Sequence, residues 1–306
     1  MALPTGATTR SNLFVPEVFT EAIRQGFLGM KALLGTDVAI INGTLPANHR
    51  GGQAVTVPYF NNIGEVQDAT EGQALTVAQL TQATETATVN RSGIAFDMTR
   101  WAELAASEDP YAEAASQVIE GMARRTDLGL IQASAGDSAV GAAPSTPLLP
   151  IGAAGTPLIE NVGSSPLSYD TIVDAKMLWG DEQDDISLMA VHSATFGSLL
   201  HLKDSTGRPL VTERDSGVQG LTLYKFVNIP IIVSDRLAPQ SGVYTSLIYK
   251  KRSLVFWYNL KPALTTLPDP LTDSEVTALN MYWVAYMYKN MPGKRKPGVV
   301  AIQHGN

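Results

Sequence analysis

The fold is decided by the stretch Thr56–Thr99, which reads "TVPYFNNIGEVQDATEGQALTVAQLTQATETATVNRSGIAFDMT". β-Branched and aromatic residues predict a strand at each end, and the alternation of Thr84, Thr86 and Thr88 predicts another. The residues between are mostly polar and offer only a thin apolar face. A two-stranded ribbon of this kind is marginally stable alone in water. We therefore expect an extended arm that packs against a surface outside itself.

The composition is that of a globular protein. The chain has 306 residues, which suggests about two domains. With 44% hydrophobic and 17% charged residues it can bury a core and has a charge-poor surface that suits contacts with protein. The net charge of −7 argues against general affinity for nucleic acid, which requires a basic face. Cysteine is absent, which excludes disulfides, thiolate metal sites and cysteine nucleophiles.

Targeting signals are not evident. The start, "MALPTGATTR", lacks the basic and apolar regions of a secretory signal. The longest apolar stretch, Leu279–Tyr288, is about half the length that a membrane-spanning helix requires. We expect the protein to act in the cytosol or in a particle built there.

Several local signals predict secondary structure. Pro16 begins one candidate helix, and the strongest helix runs from Asp109, its predicted cap, to Ala135. Ser168 is the predicted cap of another helix, and Ile186–Asp204 is predicted to be a strand followed by a helix. Further strands are predicted in "VNIPIIVSDRL", "VYTSLIYKKRSLVFWYN" and "KPALTTLP", and two C-terminal strands are predicted to be joined by a basic turn.

No catalytic, cofactor or metal site is predicted. No two of the four histidines have the spacing of a helical metal site. His192 closes an apolar strand and is expected to be structural, and His201 is expected on a solvated helix face. "EQDD" around Asp184 indicates a solvated helix end rather than a calcium loop. Neither a phosphate-binding GxxxxGK[ST] loop nor a GxSxG nucleophile elbow occurs.

Two other motifs leave alternatives open. "RDSGV" contains the Asp-Ser-Gly triplet of aspartic proteases, whose chemistry needs two aspartates that share a proton. A turn is the favoured interpretation, and a hydrolase in which a homodimer pairs two copies of Asp215 is the alternative. The basic cluster "KNMPGKRKP" from Lys289 to Pro297 fits a solvated turn as well as a contact with nucleic acid.

The order of these segments resembles that of the major capsid (coat) proteins of tailed bacteriophages, which share the Hong Kong-phage-type capsid fold. The resemblance covers most of the chain, from about Asn12 to Gln303, and implies an α+β fold and a structural protein rather than an enzyme. The segments that carry it are "NLFVPEVF", "GQAVTVPYFNNIGEVQDATEGQALTVAQLTQATETATVNRSGIAFDMT", the Asp109–Ala135 helix, "SYDTIVDAKMLWGD", "SLMAVHSATFGSLLHLKD" and "NIPIIVSDRL".

The resemblance also implies a division of the chain and a role. Residues 1–45 would be an N-terminal arm, 46–97 an extended β-hairpin loop, 98–164 with 266–306 a peripheral domain with a long spine helix, and 165–265 an axial domain. Copies would self-assemble as pentamers and hexamers of an icosahedral or prolate head that encloses double-stranded DNA, a virion component assembled in the host cytoplasm. A bacterial encapsulin-type compartment shell protein is the alternative with the same fold.

Partners follow from the same resemblance. They are other copies of the chain, a separate scaffolding protein, a portal, a decoration protein and weakly contacted double-stranded DNA. Because the arm begins close to Met1, we expect no fused scaffold in this chain. Some members crosslink through a lysine of the extended loop, but no lysine lies between Lys31 and Lys176. That covalent chemistry is therefore not expected.

Charged residues are the candidate contacts between copies, with ordinary solvated charges as the alternative interpretation of each one. Acidic residues of the extended loop would meet arginines of a neighbouring copy. Exposed ion pairs contribute about 0–1 kcal/mol each, so they would set the register of a contact more than its affinity. The candidates are Glu65, Asp68, Glu71, Arg91, Arg100, Arg124, Arg125, Arg208 and Arg214.

Overall fold

The computed structural model describes most of the chain. Among the predicted features, the helix begun by Pro16, the cap Asp109 and most of the arm at residues 1–45 lie outside its described residues. The described residues are 33, 36–44, 54–61, 63–64, 68, 71–72, 74–75, 77–105, 110–134, 157–203, 207–215, 222–237, 239, 242–269, 273–288 and 296–305.

The secondary structure mixes helices and strands, as the α+β prediction requires. In chain order the elements are β1 (Ala39–Thr44), β2 (Ala54–Phe60), β3 (Gln82–Thr88), β4 (Asn90–Thr99), α1 (Arg100–Ala105), α2 (Pro110–Ser134), β5 (Leu158–Pro166), α3 (Tyr169–Met177), β6 (Ile186–Val191), α4 (Ser193–Leu200), β7 (Val211–Asp215), β8 (Thr222–Phe226), β9 (Ile229–Val233), β10 (Tyr244–Lys250), β11 (Leu254–Asp269), β12 (Ser274–Met287) and β13 (Val299–Gly305).

A four-stranded sheet with the order β1-β11-β12-β4 supports the long helix α2. The close approach depends on Gly129, because a Cβ there would lie 2.1 Å from Cη2 of Trp283 on β12. The indole Nε1 of Trp283 donates to Ser92 Oγ on β4 at 2.9 Å, and its ring stacks on Phe256 of β11 at 5.7 Å between centroids. The helix predicted after Asp109 is therefore confirmed, and one tryptophan joins it to three strands.

A seven-stranded sheet with the order β5-β13-β10-β6-β9-β8-β7 forms the other half. The predicted strand and helix after Ile186 are confirmed as β6 and α4, and β6 pairs in parallel with β9. The predicted cap Ser168 is also confirmed, since its Oγ accepts from the amide of Thr171 at 3.2 Å at the start of α3.

The two halves are joined by strands that are buried on both faces. Side chains alternate between the faces of a strand, so neighbouring residues enter different cores. On β10, Leu247 belongs to the core that contains α2, whereas Ile248 belongs to the core that contains α3 and α4. β6 and β13 show the same alternation, as with Ala301 and Val300. The seven-stranded sheet therefore contributes one of its faces to each of the two cores.

The structure differs from the sequence prediction at two places. The segment predicted as separate strands is one 16-residue strand, β11, whose register with β12 shifts between Leu260 and Ala263. Pro262 lies at this irregularity, where a residue without an amide hydrogen is tolerated. The two C-terminal strands lie in different sheets: β12 pairs with β4 and β11, whereas β13 pairs with β10 and β5. Residues 299–305 thus join the sheet of the segment predicted as axial, and the four-part division itself stays a prediction.

A buried histidine links β13 to β10 in the seven-stranded sheet. His304 on β13 is fully buried, and its Nε2 lies 2.9 Å from Ser246 Oγ on β10. Tyr244 of β10 stacks on the imidazole with 6.1 Å between ring centroids. Burial lowers the pKa of His304, and a hydrogen bond to the Gly305 carbonyl opposes this only in part. The folded subunit therefore favours the neutral imidazole.

Gly129→Ala is expected to destabilise the subunit by about 1–3 kcal/mol, because the added methyl overlaps the buried ring of Trp283. Urea denaturation of the unassembled subunit measures this. Gly121→Ala is the matched control on the same helix, since nothing lies within 4 Å of its added Cβ. That control is expected to be neutral or stabilising by up to about 1 kcal/mol. Equal effects of the two variants would contradict the packing described for α2.

The lowered pKa of His304 predicts a loss of stability in acid. The unfolded chain takes up a proton near pH 6.5, whereas the buried imidazole does so only at lower pH. The contribution is thus fully present above about pH 6.5 and declines as the pH falls toward the folded pKa. Urea midpoints from pH 8 to pH 5 measure it. His304→Gln should show a shallower decline below pH 6.5, and parallel curves for the two proteins would contradict this role.

Candidate functional site

The opening stretch forms an isolated two-stranded ribbon. β2 and β3 pair antiparallel from Ala54 opposite Thr88 to Phe60 opposite Gln82, and they form a sheet of their own. We call residues 54–88 the ribbon and residues 60–80 its tip. The strand predicted at the start of the stretch is confirmed as β2, and the one at its end as β4. Among the described strands, none pairs with the outer edge of β2 or β3, so both edges remain open to another strand.

Large apolar side chains of the ribbon tip face solvent. Val77 is 90% exposed, and its neighbours along the tip are more than half exposed. Several large exposed apolar side chains on one segment indicate a contact with protein or another apolar partner. The exposed apolar residues of the tip are Phe60, Ile63, Leu75, Val77 and Leu80.

The other end of the ribbon, which we call the foot, is buried. Val55 of β2 and Ala87 of β3 pack against Val284 and Tyr286 of β12. These β12 residues alternate with Trp283, so they lie on the face of the sheet opposite α2. The foot residues were not predicted as a site. A signal was present, however, because β12 is apolar on both faces and therefore needs a cover on each side.

The acidic candidates lie on the ribbon tip. Asp68 and Glu71 are exposed, and Glu65 falls among the residues that are not described. Within the described chain neither Asp68 nor Glu71 forms an ion pair, so their charges are free to meet a separate molecule. Their role as contacts between copies stays a prediction.

Two arginine candidates lie along β4 and just after it. Arg91 donates from Nε and Nη2 to Asn280 Oδ1 at 3.3 and 2.9 Å, and its guanidinium lies 5.9 Å from the centroid of Tyr282. It is exposed but already held within its own chain. Arg100 begins α1, is exposed, and donates its backbone amide to the Asp273 carbonyl at 3.0 Å.

Two further candidates are neighbours on α2 with different surroundings. Arg124 is exposed and pairs with Glu120 one turn earlier, a contact that contributes little to stability. Arg125 is half-buried with its guanidinium 5.6 Å from the Trp283 ring centroid, and this burial lowers its pKa. The helix thus directs Arg124 outward and holds Arg125 against the sheet, which leaves Arg124 better placed for contact with another copy.

The last two candidates lie at the β7 edge of the seven-stranded sheet, whereas the ribbon foot packs on β12 of the four-stranded sheet. Arg208 is exposed before β7, and Arg214 lies within β7 opposite Leu223. The described candidates therefore lie on several different elements, and their role as contacts between copies stays a prediction.

The residues considered as catalytic or metal-binding candidates lie at helix ends and in a β-hairpin. His192 Nδ1 accepts from the Ala194 amide at 3.1 Å and caps α4, which confirms its structural role. His201 follows α4 and is exposed. Asp215 ends β7 opposite Thr222 in a hairpin. In the part of the chain that is described, no three His, Asp or Glu side chains gather as a metal site would require. No described helix is long and apolar enough to cross a membrane.

Comparison with solved structures identifies the fold. The capsid of a native GTA particle matches 100% of this chain and 96% of its own, with 12% identity and a TM-score of 0.64. The capsid of Ralstonia phage GP4 covers 90% and 91%, with 11% identity and a TM-score of 0.61. A Gordonia phage Cozz structure covers 82% and 81%, with 15% identity and a TM-score of 0.55. The chain shares the fold of these phage and GTA capsid structures.

No protein-family model matches the chain, and no curated protein matches it. The structures compared above come from phages and a GTA particle; they indicate no enzyme class and support neither the compartment alternative nor a hydrolase that uses Asp215.

Proposed function

We propose that the chain is the major capsid protein of a tailed phage or a related particle, whose copies assemble into the shell that encloses double-stranded DNA. The observation that carries the proposal is the ribbon, a two-stranded arm with a buried foot and an exposed apolar tip. A fold shared with capsid structures over the whole chain supports the same role. Within the described part of the chain the apolar side chains of the tip stay exposed, whereas in a shell a neighbouring copy would cover them.

The ribbon would act by covering the surface of an adjacent copy. Burial of Leu75, Val77 and Leu80 would supply most of the affinity, since exposed ion pairs add little. Asp68 and Glu71 would then set the register against arginines such as Arg124 of the neighbour. A head-to-tail contact closes into a ring when the rotation permits, which gives pentamers and hexamers. Many modest contacts per subunit make the shell stable through multivalency.

The proposal includes the division of the chain and its partners. Residues 1–45 would be the N-terminal arm, 46–97 the extended loop, 98–164 with 266–306 the peripheral domain, and 165–265 the axial domain. β13, which falls in the peripheral range, would complete the axial sheet through its pairing with β10. A separate scaffolding protein, a portal and a decoration protein would be partners in addition to the packaged DNA. The assembled protein would reside in the virion after assembly in the host cytoplasm.

A shortened ribbon is expected to abolish shells and leave the subunit folded. Replacing residues 62–80 by Asn-Gly keeps the pairing of Phe60 with Gln82 and the hydrogen bond from the Asn61 amide to the Thr81 carbonyl at 2.9 Å. Asn-Gly suits the two-residue turn that would close this hairpin. Circular dichroism should show an intact subunit, and electron microscopy should show shells only for the unmodified chain. Normal particles from the shortened chain would contradict the proposed role of the ribbon.

Point variants distinguish the contribution of the apolar side chains to assembly from the contribution of the length of the ribbon. Leu75→Ser with Val77→Ser and Leu80→Ser should reduce shell yield strongly, because the exposed apolar area of the tip is removed. The matched control is Ala74→Ser with Ala78→Ser and Gln79→Ser, which changes exposed neighbours of small or polar character in the same segment. Equal yields from the two triple variants would show that the apolar side chains do not drive the contact.

A further inference from the structure

The start of α4 depends on a histidine as a hydrogen-bond acceptor. The amide of Ala194 donates to His192 Nδ1 at 3.1 Å, and the amide of Phe196 donates to the His192 carbonyl at 2.9 Å as the helix begins. An amide can only donate, so Nδ1 carries no proton and the neutral ring has its hydrogen on Nε2. Histidine is the side chain whose charge ordinarily changes between about pH 5 and 8. The cap of α4 is therefore one that a proton can remove.

Protonation of His192 is incompatible with this cap. A protonated imidazole is a donor at both nitrogens, so it has no lone pair left for the Ala194 amide. Its charge would also lie beside the positive end of the α4 dipole, which disfavours a cation at that place. When the ring takes up a proton it must therefore turn away from Ala194.

A carboxylate is placed to receive the turned ring. Asp235 Oδ1, in the loop after β9, lies 3.8 Å from His192 Nε2, which is too long for a hydrogen bond but close enough for attraction between charges. A hydrogen bond from the Ser193 side chain is the main cause that lowers the pKa of Asp235, and the charge of His192 adds to it although burial opposes both. Asp235 therefore stays ionised throughout the range in which histidines titrate.

Few other charged or titratable groups surround His192 in the described chain. Arg236 is next to Asp235 and attracts its charge. Tyr244 of β10 lies between two imidazoles, with 5.3 Å to the ring centroid of His192 and 6.1 Å to that of His304. α4 itself has no charged residue. Burial disfavours a proton on His304, whereas the side chain of His192 is 18% exposed and open to protons from solvent.

The start of α4 is linked to the β7 edge of the seven-stranded sheet. Phe196 of α4 packs edge-to-face on Tyr224 of β8, with 5.1 Å between ring centroids. β8 pairs in turn with β7, the strand that carries Arg214. A loosened first turn of α4 would therefore remove support from the two strands that form this edge.

We propose that His192 and Asp235 form a pH-sensitive switch at the start of α4. In the neutral form His192 caps the helix through Nδ1. In the protonated form the ring turns to pair with Asp235, the Ala194 amide loses its acceptor, and the first turn of α4 loosens together with its contact to β8. The switch belongs to the single subunit, so it stands or falls independently of the proposed shell-forming function.

The tautomer of His192 tests the neutral form without any substitution. In nuclear magnetic resonance spectra of the full chain with isotope-labelled histidine, the ring should carry its hydrogen on Nε2 and none on Nδ1 at about pH 8. At about pH 5 both nitrogens should be protonated. The opposite tautomer at the higher pH, or a ring that stays neutral at the lower pH, would overturn the switch.

Hydrogen exchange tests the release of α4. Protection factors, which correct for the intrinsic effect of pH on exchange, should fall about fivefold at the Ala194 amide between about pH 8 and pH 5, as expected for the loss of a cap. His192→Asn is the informative variant, because asparagine is a favoured cap that does not titrate. Its Ala194 amide should keep the same protection at both pH values. Equal falls in the two proteins would contradict the proposal.

Two other histidine variants separate this switch from the remaining titrations. His201→Asn changes the exposed histidine that follows the same helix, and His304→Gln changes the buried one on β13. Both variants should retain the fall in protection at Ala194. A fall that disappears in His304→Gln would assign the effect to the buried histidine and overturn the role of His192.

Asp235→Asn tests the group that receives the ring. Asparagine can still accept from Ser193, but it offers no negative charge to the protonated imidazole. The fall in protection at Ala194 should therefore occur at a lower pH than in the unmodified chain, and an unchanged pH would overturn the pairing with Asp235. The amides of β8 should lose protection together with Ala194. A loss confined to Ala194 would overturn the link to the β7 edge.

Discussion

The contact between Trp283 and the backbone at Gly129 is the one on which the arrangement of this subunit depends. It sets the distance between α2 and the four-stranded sheet, and the same indole holds β4 through Ser92 and packs on Phe256 of β11. The next residue, Val284, lies on the opposite face and receives the ribbon foot. The position of the ribbon therefore follows from the position of β12, which is held by its pairing with β4 and β11 and by the contacts of the buried Trp283 ring.

Features with a local cause were predictable from the sequence. Ser168 and the helix formers after Asp109 act within a few residues, and the apolar run after Ile186 shows its own period. Features that depend on pairing with a segment far along the chain were not predictable from the sequence. Nothing local to Val299–Gly305 indicates that β13 pairs with β10 and β5. The predicted strands "VYTSLIYKKRSLVFWYN" and "KPALTTLP" are separate in the prediction, whereas β11 runs continuously from one into the other because register shifts in its pairing with β12 accommodate Pro262.

The candidate contact residues were likewise predictable only where their cause is local in the sequence. The exposed, weakly self-stabilising character of the ribbon was readable from its thin apolar face, but its buried foot required the alternation of β12 to be matched with Val55 and Ala87. Charge alone did not separate Arg124 from Arg125, since only the helical phase decides which one faces Trp283. Trp101 and Leu104 form an apolar pair at helical spacing between charged residues. From sequence alone such a pair is assigned to the core, whereas the structure leaves both side chains exposed.

The strands shared by both cores have a mechanical consequence. A load on the seven-stranded sheet is transmitted through side chains on both faces of β6, β10 and β13, so the two halves of the subunit have no soft layer between them. Because close-packed interiors transmit strain, we expect such a subunit to deform as one stiff unit. In the proposed shell, changes in curvature would then be absorbed where one copy meets the next, at surfaces such as the ribbon, rather than in the interior of the chain.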